Sequence, residues 1–221
     1  TIGQVIQGLR ELGFEGIYEA AQGADLVAYY EAKELEEKGF LTTSCCPAFV
    51  EYIEKNFPDL VPNISHNLSP MGTIGKIIKD EDPTCKNIFI GPCTAKKAEF
   101  QLEKVKDYID CVITFEELQA LFDSKDIDIE NLESTPIDDA TPFGRGFAKS
   151  GGVAAAVVEA LIEQGSDFVP DTVAVEGLDK CKPVLMRASR GMLKNNLIEG
   201  MACANGCIGG AGCLSHTDKH K

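Results

Sequence analysis

Three short segments concentrate the side chains best suited to chemistry: Thr43-Ser-Cys-Cys-Pro47, Pro92-Cys-Thr-Ala-Lys-Lys-Ala-Glu99 and Met201-Ala-Cys-Ala-Asn-Gly-Cys-Ile-Gly-Gly-Ala-Gly-Cys213. Each sets cysteine at an expected turn. In the first two, the turn leads from a strand into a helix, where free backbone N–H groups and the helix dipole favour a thiolate. Cys203 and Cys207 stand four apart, and Gly206, Gly209, Gly210 and Gly212 around them let backbone wrap closely round a bulky inorganic group. Four thiolates are the usual complement of a [4Fe–4S] cluster. The Cys203-x3-Cys207 spacing is weak evidence by itself, but its rivals fit worse. A zinc site favours paired Cys-x2-Cys units, and a radical-SAM triad would need cysteine where this chain has Gly210.

Nine cysteines are many for a chain of 221 residues in a reducing compartment, where structural disulfides are rare, so metal or redox chemistry is the leading explanation. Free cysteine also serves as a small buried hydrophobe, and Cys85 and Cys111 are expected to do so. The chain carries 35 acidic against 21 basic residues, a field that repels nucleic acid and anionic lipid. No stretch approaches the roughly 20 apolar residues of a membrane span, and the first residues lack the zones of a signal peptide. A cytoplasmic location is expected, with neither nucleic acid nor membrane as partner.

The elements that must position these cysteines alternate between strand and helix. Apolar spacing predicts a helix over Thr1 to Leu12, closed by Gly13, and a strand over Phe14 to Tyr18. Ala24 to Lys38 reads as helix, Phe40 to Ser44 as strand, and Pro47 opens a helix running to Phe57. Ser69–Pro70 announces a helix through Lys79, and Asn87 to Gly91 forms a strand ending at Pro92–Cys93. A strand follows over Ile109 to Ile113, and Thr114 with Glu117 forms a capping box for a helix from Phe115 to Phe122. Asp123 to Lys149 reads as acidic loop, after which Gly151–Gly152 starts an Ala/Val-rich helix to Gln164. This pattern predicts an α/β fold: two lobes of mostly parallel sheet flanked by helices, residues 1–125 and 126–221, with ligands gathering at the carboxyl ends of strands.

Taken together and in this order, the three segments resemble the TSCCP, PCxxKxxE and MACxxGCxxGG motifs of the [FeFe]-hydrogenases. The resemblance runs from Thr43 to Gly210, and Gly23-Ala-Asp-Leu26 with Glu31 and Glu34 is also similar to the family. It implies a metal cluster between the lobes. Cys46, Cys93, Cys203 and Cys207 would hold the cubane, and Cys207 would bridge to a di-iron unit bearing carbon monoxide, cyanide and an azadithiolate. Lys96 matches the lysine that donates to a cyanide nitrogen, and Lys97 is expected at the surface. Glu99 is placed to pair with Lys96 at i, i+3. Cys45 matches the proton-shuttle thiol, with Glu34 and Ser65 downstream and Glu31 further out. Phe147 and Met201 align with residues packing round the di-iron unit, although either has an ordinary core reading. His66, His216 and His220 are assigned to no metal.

The resemblance implies reversible conversion of protons and electrons to H2, or hydrogen sensing, in an anaerobic setting, with maturation proteins supplying the di-iron unit. Gly91 stands where strongly catalytic members carry methionine, and Met71 where they often have glutamine, as in sensory branches of the family. Ala211 replaces a glycine of the last motif, and Cys213 is a spare thiol. No ferredoxin-like run of cysteines is present, so electrons are expected from a partner protein or from a ferredoxin-like domain outside this chain. Two rivals stand beside this reading: a noncatalytic iron–sulfur protein similar to hydrogenase-like cluster-assembly factors, and an inactive cofactor-free fragment.

Overall fold

A computed structural model of the chain describes residues 1–215. The first helix, α1 (Ile2–Glu11), is opened by a capping box between Thr1 and Gln4 and buries Ile6 and Leu9. The expected strand over Phe14 to Tyr18 does not form. Gly13 turns the chain at φ 95°, and Phe14 and Ile17 pack instead beside Leu9, Leu118 and Phe122, so the segment acts as a strap across helices. The next helix, α2 (Ala20–Lys38), ends at Gly39, whose left-handed φ of 73° lets its N–H reach the Leu35 carbonyl. Its buried stripe of Ala24, Val27, Ala28, Ala32 and Leu35 contains one carboxylate, Glu31.

The remaining strands and α-helices among the described residues are β1 (Leu41–Thr42), α3 (Pro47–Asn56), α4 (Pro70–Glu81), β2 (Ile88–Gly91), α5 (Lys96–Glu99), β3 (Cys111–Thr114), α6 (Phe115–Ser124), α7 (Pro142–Gly146), α8 (Gly152–Glu163), β4 (Thr172–Glu176), α9 (Leu178–Ser189) and β5 (Leu197–Met201). Ser69 and Thr114 cap α4 and α6 as their sequences predict. The acidic loop after α6 is interrupted by a short 3-10 turn and by α7.

The strands form two parallel sheets, one in the order β1-β5-β4 and one pairing β2 with β3. Helices cover both faces of the larger sheet. Side chains of β5 alternate between them: Leu197 and Met201 join the core built with α2 and α8, whereas Ile198 joins the core built with α3 and α9. Because β1 pairs with β5, the larger sheet takes strands from both sides of residue 125. The expected lobe boundary at 125/126 therefore does not coincide with the division between sheets. Sequence-local alternation carries no information about this long-range pairing. No helix among the described residues is long and apolar enough to cross a membrane.

Candidate metal centre

The site forms where β1, β2 and β5 end, the edge at which parallel α/β sheets gather ligands. Beyond β1, the Thr43 N–H bonds the Ile198 carbonyl at 3.0 Å and carries the chain to Cys45 and Cys46. The backbone is extended at Cys46 (φ −99°, ψ 105°), immediately before Pro47 opens α3. Neighbouring side chains on extended backbone point to opposite sides. Cys45 accordingly packs on the α2/α8 core and Cys46 on the core of Phe49, Ile53 and Cys181. The Phe49 N–H donates to the Cys46 carbonyl at 3.1 Å, and the backbone N–H groups of Ala202 and Phe49 act to lower the Cys46 thiol. One comes from the turn after β5 and the other from the first turn of α3, and burial of the sulfur outweighs both, so the thiol is raised rather than lowered.

The second and third segments are fastened to each other and to the first. The Gly212 N–H donates to the Pro92 carbonyl at 2.9 Å. A methyl on Gly210 would lie 2.3 Å from that same carbonyl oxygen, so only glycine permits this approach. Gly206 has φ of 73°, and a side chain there would lie 2.7 Å from the Met201 sulfur and 2.8 Å from the Ala148 carbonyl. From α5, the Lys96 ammonium reaches the Cys45 carbonyl at 3.2 Å and the Glu99 carboxylate at 2.5 Å, with both side chains of the ion pair buried. Lys97 pairs with Glu117 toward the surface.

These ties bring the four candidate ligands into one locale. The Cys207 thiol is pushed up to about 12 by burial first, then by the charges of Cys46, Cys93 and Cys203, with Lys96 acting the other way. Burial likewise raises Cys46, which also senses Cys93 and Lys96, and raises Cys45 well above the ordinary thiol range. Such thiols stay protonated at neutral pH until a metal displaces the proton. Among the described residues, no three His, Cys, Asp or Glu side chains lie close enough to share a single metal ion. A cluster spreads its thiolates wider than one ion does. The donor set, four thiols on three glycine- and proline-shaped turns, fits an iron–sulfur cluster.

A file of polar groups leads away from Cys45. Glu31 is completely buried, accepts from the Ser44 N–H at 3.4 Å and lies within the field of Cys45. Burial raises its carboxyl to about 7, against the lowering effect of the Ser65 hydroxyl and the Ser44 N–H. Ser65 donates to Glu34 at 3.0 Å, and its hydroxyl also acts on the Glu31 carboxyl, so Ser65 sits between the two carboxylates. Glu34 lies at the outer end, held by Lys38 at 2.8 Å and by the exposed His66. The sequence reading is corrected here: Glu31 is nearest the thiol and Glu34 is outermost, because successive turns of α2 carry the side chains outward from the core. The buried Glu31 Oε2, Thr42 Oγ1 and Thr43 Oγ1 atoms have no protein partner among the described residues.

Phe147 and Met201 are buried in the same core as Cys45. Met71 packs among Val105, Ile109 and Val112 instead, and a side chain on Gly91 would press on the Phe89 ring at 2.8 Å. Cys85 and Cys111 are half-buried rather than core residues. They lie where β2 and β3 begin, the end of that sheet opposite Cys93. Cys213 is buried, with its thiol 3.1 Å from the Ile208 carbonyl. His216 and His220 lie outside the described residues.

One residue absent from the sequence reading is structurally prominent. Glu199, fully buried on β5, accepts from the N–H groups of Gly151 at 2.7 Å and Ala154 at 2.8 Å, capping α8 from a neighbouring strand. Burial raises its carboxyl while these bonds oppose the rise. The loop it secures receives the ligand segment, since the Ile208 N–H bonds the Ala148 carbonyl. A carboxylate inside an apolar strand was the available signal.

The chain is 32% identical to iron hydrogenase 1 of Clostridium pasteurianum over 259 aligned residues, covering 95% of this chain and 45% of that protein. It is also 32% identical to the cytosolic Fe-S cluster assembly factor NAR1 of Kluyveromyces lactis over 174 residues, covering 73% of this chain and 37% of the relative. It therefore spans less than half the length of either. The fold matches that of a variant of the [FeFe]-hydrogenase HydA1 from Chlamydomonas reinhardtii with a TM-score of 0.79 at 24% identity, over 99% of this chain and 75% of that one. Residues 1–211 match the family described as iron only hydrogenase large subunit, C-terminal domain, and the chain belongs to that family.

Proposed function

We propose that this chain is the cluster-binding domain of a hydrogenase-type oxidoreductase acting on H2 and protons, as catalyst or hydrogen sensor. Cys46, Cys93, Cys203 and Cys207 would hold a [4Fe–4S] cubane, and Lys96, Phe147 and Met201 would be the residues that receive the di-iron unit of an H-cluster. When bound, that group supplies the redox chemistry of H2. The protein's own part is to orient, exclude water and move protons. Lys96, fixed by Glu99 and the Cys45 carbonyl, presents a positive charge to the site. Phe147 and Met201 keep it apolar. Cys45 exchanges a proton with Glu31, Ser65 passes it on, and Glu34 releases it at the surface beside His66 and Lys38.

The observation that carries this reading is the retention of Cys45 and Lys96 together with the file from Glu31 to Glu34, groups that cluster binding alone does not need. Electrons would come from a separate iron–sulfur protein or domain, maturation proteins would install the di-iron unit, and the protein would work in an anaerobic cytoplasm. The test is infrared spectroscopy of the full-length protein co-expressed with maturation proteins. Bands of iron-bound CO and cyanide are expected, and their absence from iron-loaded protein would count against the reading. The likeness to cluster-assembly factors supports a second reading, a noncatalytic iron–sulfur protein, for which about four irons per chain and no such bands are expected.

A further inference from the structure

On a chain of net charge −14, the segment from Gly177 to Asn196 runs against the trend. It carries Lys180, Lys182, Arg187, Arg190 and Lys194 against the single acid Asp179. All five cations are exposed. Lys180 stands 3.8 Å from Glu176, and the other four have no carboxylate partner among the described residues. Elsewhere many cations are neutralised, as at Lys55, Lys76, Lys79, Lys86, Lys97, Lys106 and Arg145. Two methionines, Met186 and the 68% exposed Met192, lie among the unpaired charges and offer soft, adaptable apolar contact.

The inner face of the same helix touches the metal centre. The Gly177 N–H that precedes α9 bonds the Met201 carbonyl at 2.8 Å, two residues before Cys203. Cys181 and Leu185, both fully buried, share a core with Cys46, and the Cys181 thiol lies 3.8 Å from the Met201 carbonyl. One helix, about 10 Å across, therefore stands between Cys46 and the basic face.

We propose that the outer face of α9 and the turn after it, formed by Lys182, Arg187, Arg190, Lys194, Met186 and Met192, docks an acidic iron–sulfur electron-transfer protein. The inference rests on the metal-centre reading above and names where its electron donor sits. One electron would leave the reduced partner, which is oxidised, for the cluster that Cys46 would help to hold, which is reduced, with no bond or proton moving at the surface. Such encounters are small and weak, and complementary charge sets their rate more than buried area does. A cationic patch on an anionic protein also orients the partner, since every other approach is repelled.

The test uses a labelled acidic [2Fe–2S] ferredoxin as probe and reads binding by fluorescence anisotropy, which needs no loaded cluster. Wild-type protein is expected to bind at low salt and to lose roughly 10-fold in affinity as screening shortens from about 30 Å to about 8 Å. The variant Lys182→Glu/Arg187→Glu/Arg190→Glu/Lys194→Glu should bind at least about 10-fold more weakly at low salt, and Lys182→Gln/Arg187→Gln should fall between if the first fails to fold. With reconstituted protein, stopped-flow reduction of the cluster by ferredoxin should slow in parallel, while reduction by dithionite stays unchanged. Equal binding by wild type and variant would overturn the proposal. So would dependence on these cations for anionic vesicles or duplex DNA but not for ferredoxin. A chain that takes up no iron would defeat the metal-centre reading and leave the anisotropy to decide docking.

Discussion

Replacing Glu31 by glutamine should reshape the pH dependence of stability. Glu31 is completely buried in the apolar stripe of α2, and burial lifts its carboxyl from 4.5 to about 7. The carboxylates of Glu34 and Glu199 push the same way. Native protein thus holds this proton to higher pH than the unfolded chain does. The stability it contributes is complete below pH 4.5, where both states are protonated, and is lost as pH rises through about 7. That displacement corresponds to roughly 3 kcal/mol. Glutamine keeps the shape, still accepts from the Ser44 N–H and cannot ionise. Urea unfolding of cofactor-free protein, followed by circular dichroism under anaerobic reducing conditions, should show the wild type losing about 2–3 kcal/mol more than Glu31→Gln between about pH 5 and 8. Other titrating groups cancel in the difference between the two proteins. Parallel profiles would refute the burial argument and remove the basis for a proton-holding group beside Cys45.

Lys96→Ala should destabilise cofactor-free protein by about 3 kcal/mol in urea titration, because Glu99 is left buried and charged, whereas Lys96→Met/Glu99→Leu should come within about 1 kcal/mol of wild type. Glu199→Ala strands the Gly151 and Ala154 N–H groups inside the fold and should cost about 2–4 kcal/mol, with hydrogen exchange accelerated at those two amides. Gly206→Ala forces a side chain into left-handed backbone against the Met201 sulfur, so iron retained after reconstitution should fall at least about twofold while far-UV dichroism persists.

Features encoded locally were legible in the sequence. Thr114 and Ser69 announce their helices because capping is a short-range hydrogen bond, and the cysteine turns are punctuated by proline and glycine. The strap at residues 14–18 misled because two alternating apolar side chains look the same on a strand and on a segment lying across helices. The sequence reading did not name β4, α9 or β5. On β5 both faces are covered, so Leu197 to Met201 shows no polar alternation to mark a strand. That missing strand also concealed Glu199 and the pairing of β1 across residue 125. At the metal centre, motif order brought the four candidate cysteines, Cys45 and Lys96 forward together, yet the order of Glu31 and Glu34 depends on the rotation of α2. No spacing in the sequence specifies that rotation relative to the Cys45 turn.

Anaerobic reconstitution with iron and sulfide, applied to single cysteine variants, addresses the central claim most directly. Wild-type protein and Cys85→Ala, Cys111→Ala and Cys213→Ala should each take up about four irons per chain and show a cubane signal on reduction in paramagnetic resonance. Cys46→Ala, Cys93→Ala, Cys203→Ala and Cys207→Ala should each lose or degrade that same signal. A cubane that survives any two of these four substitutions unchanged would contradict the account.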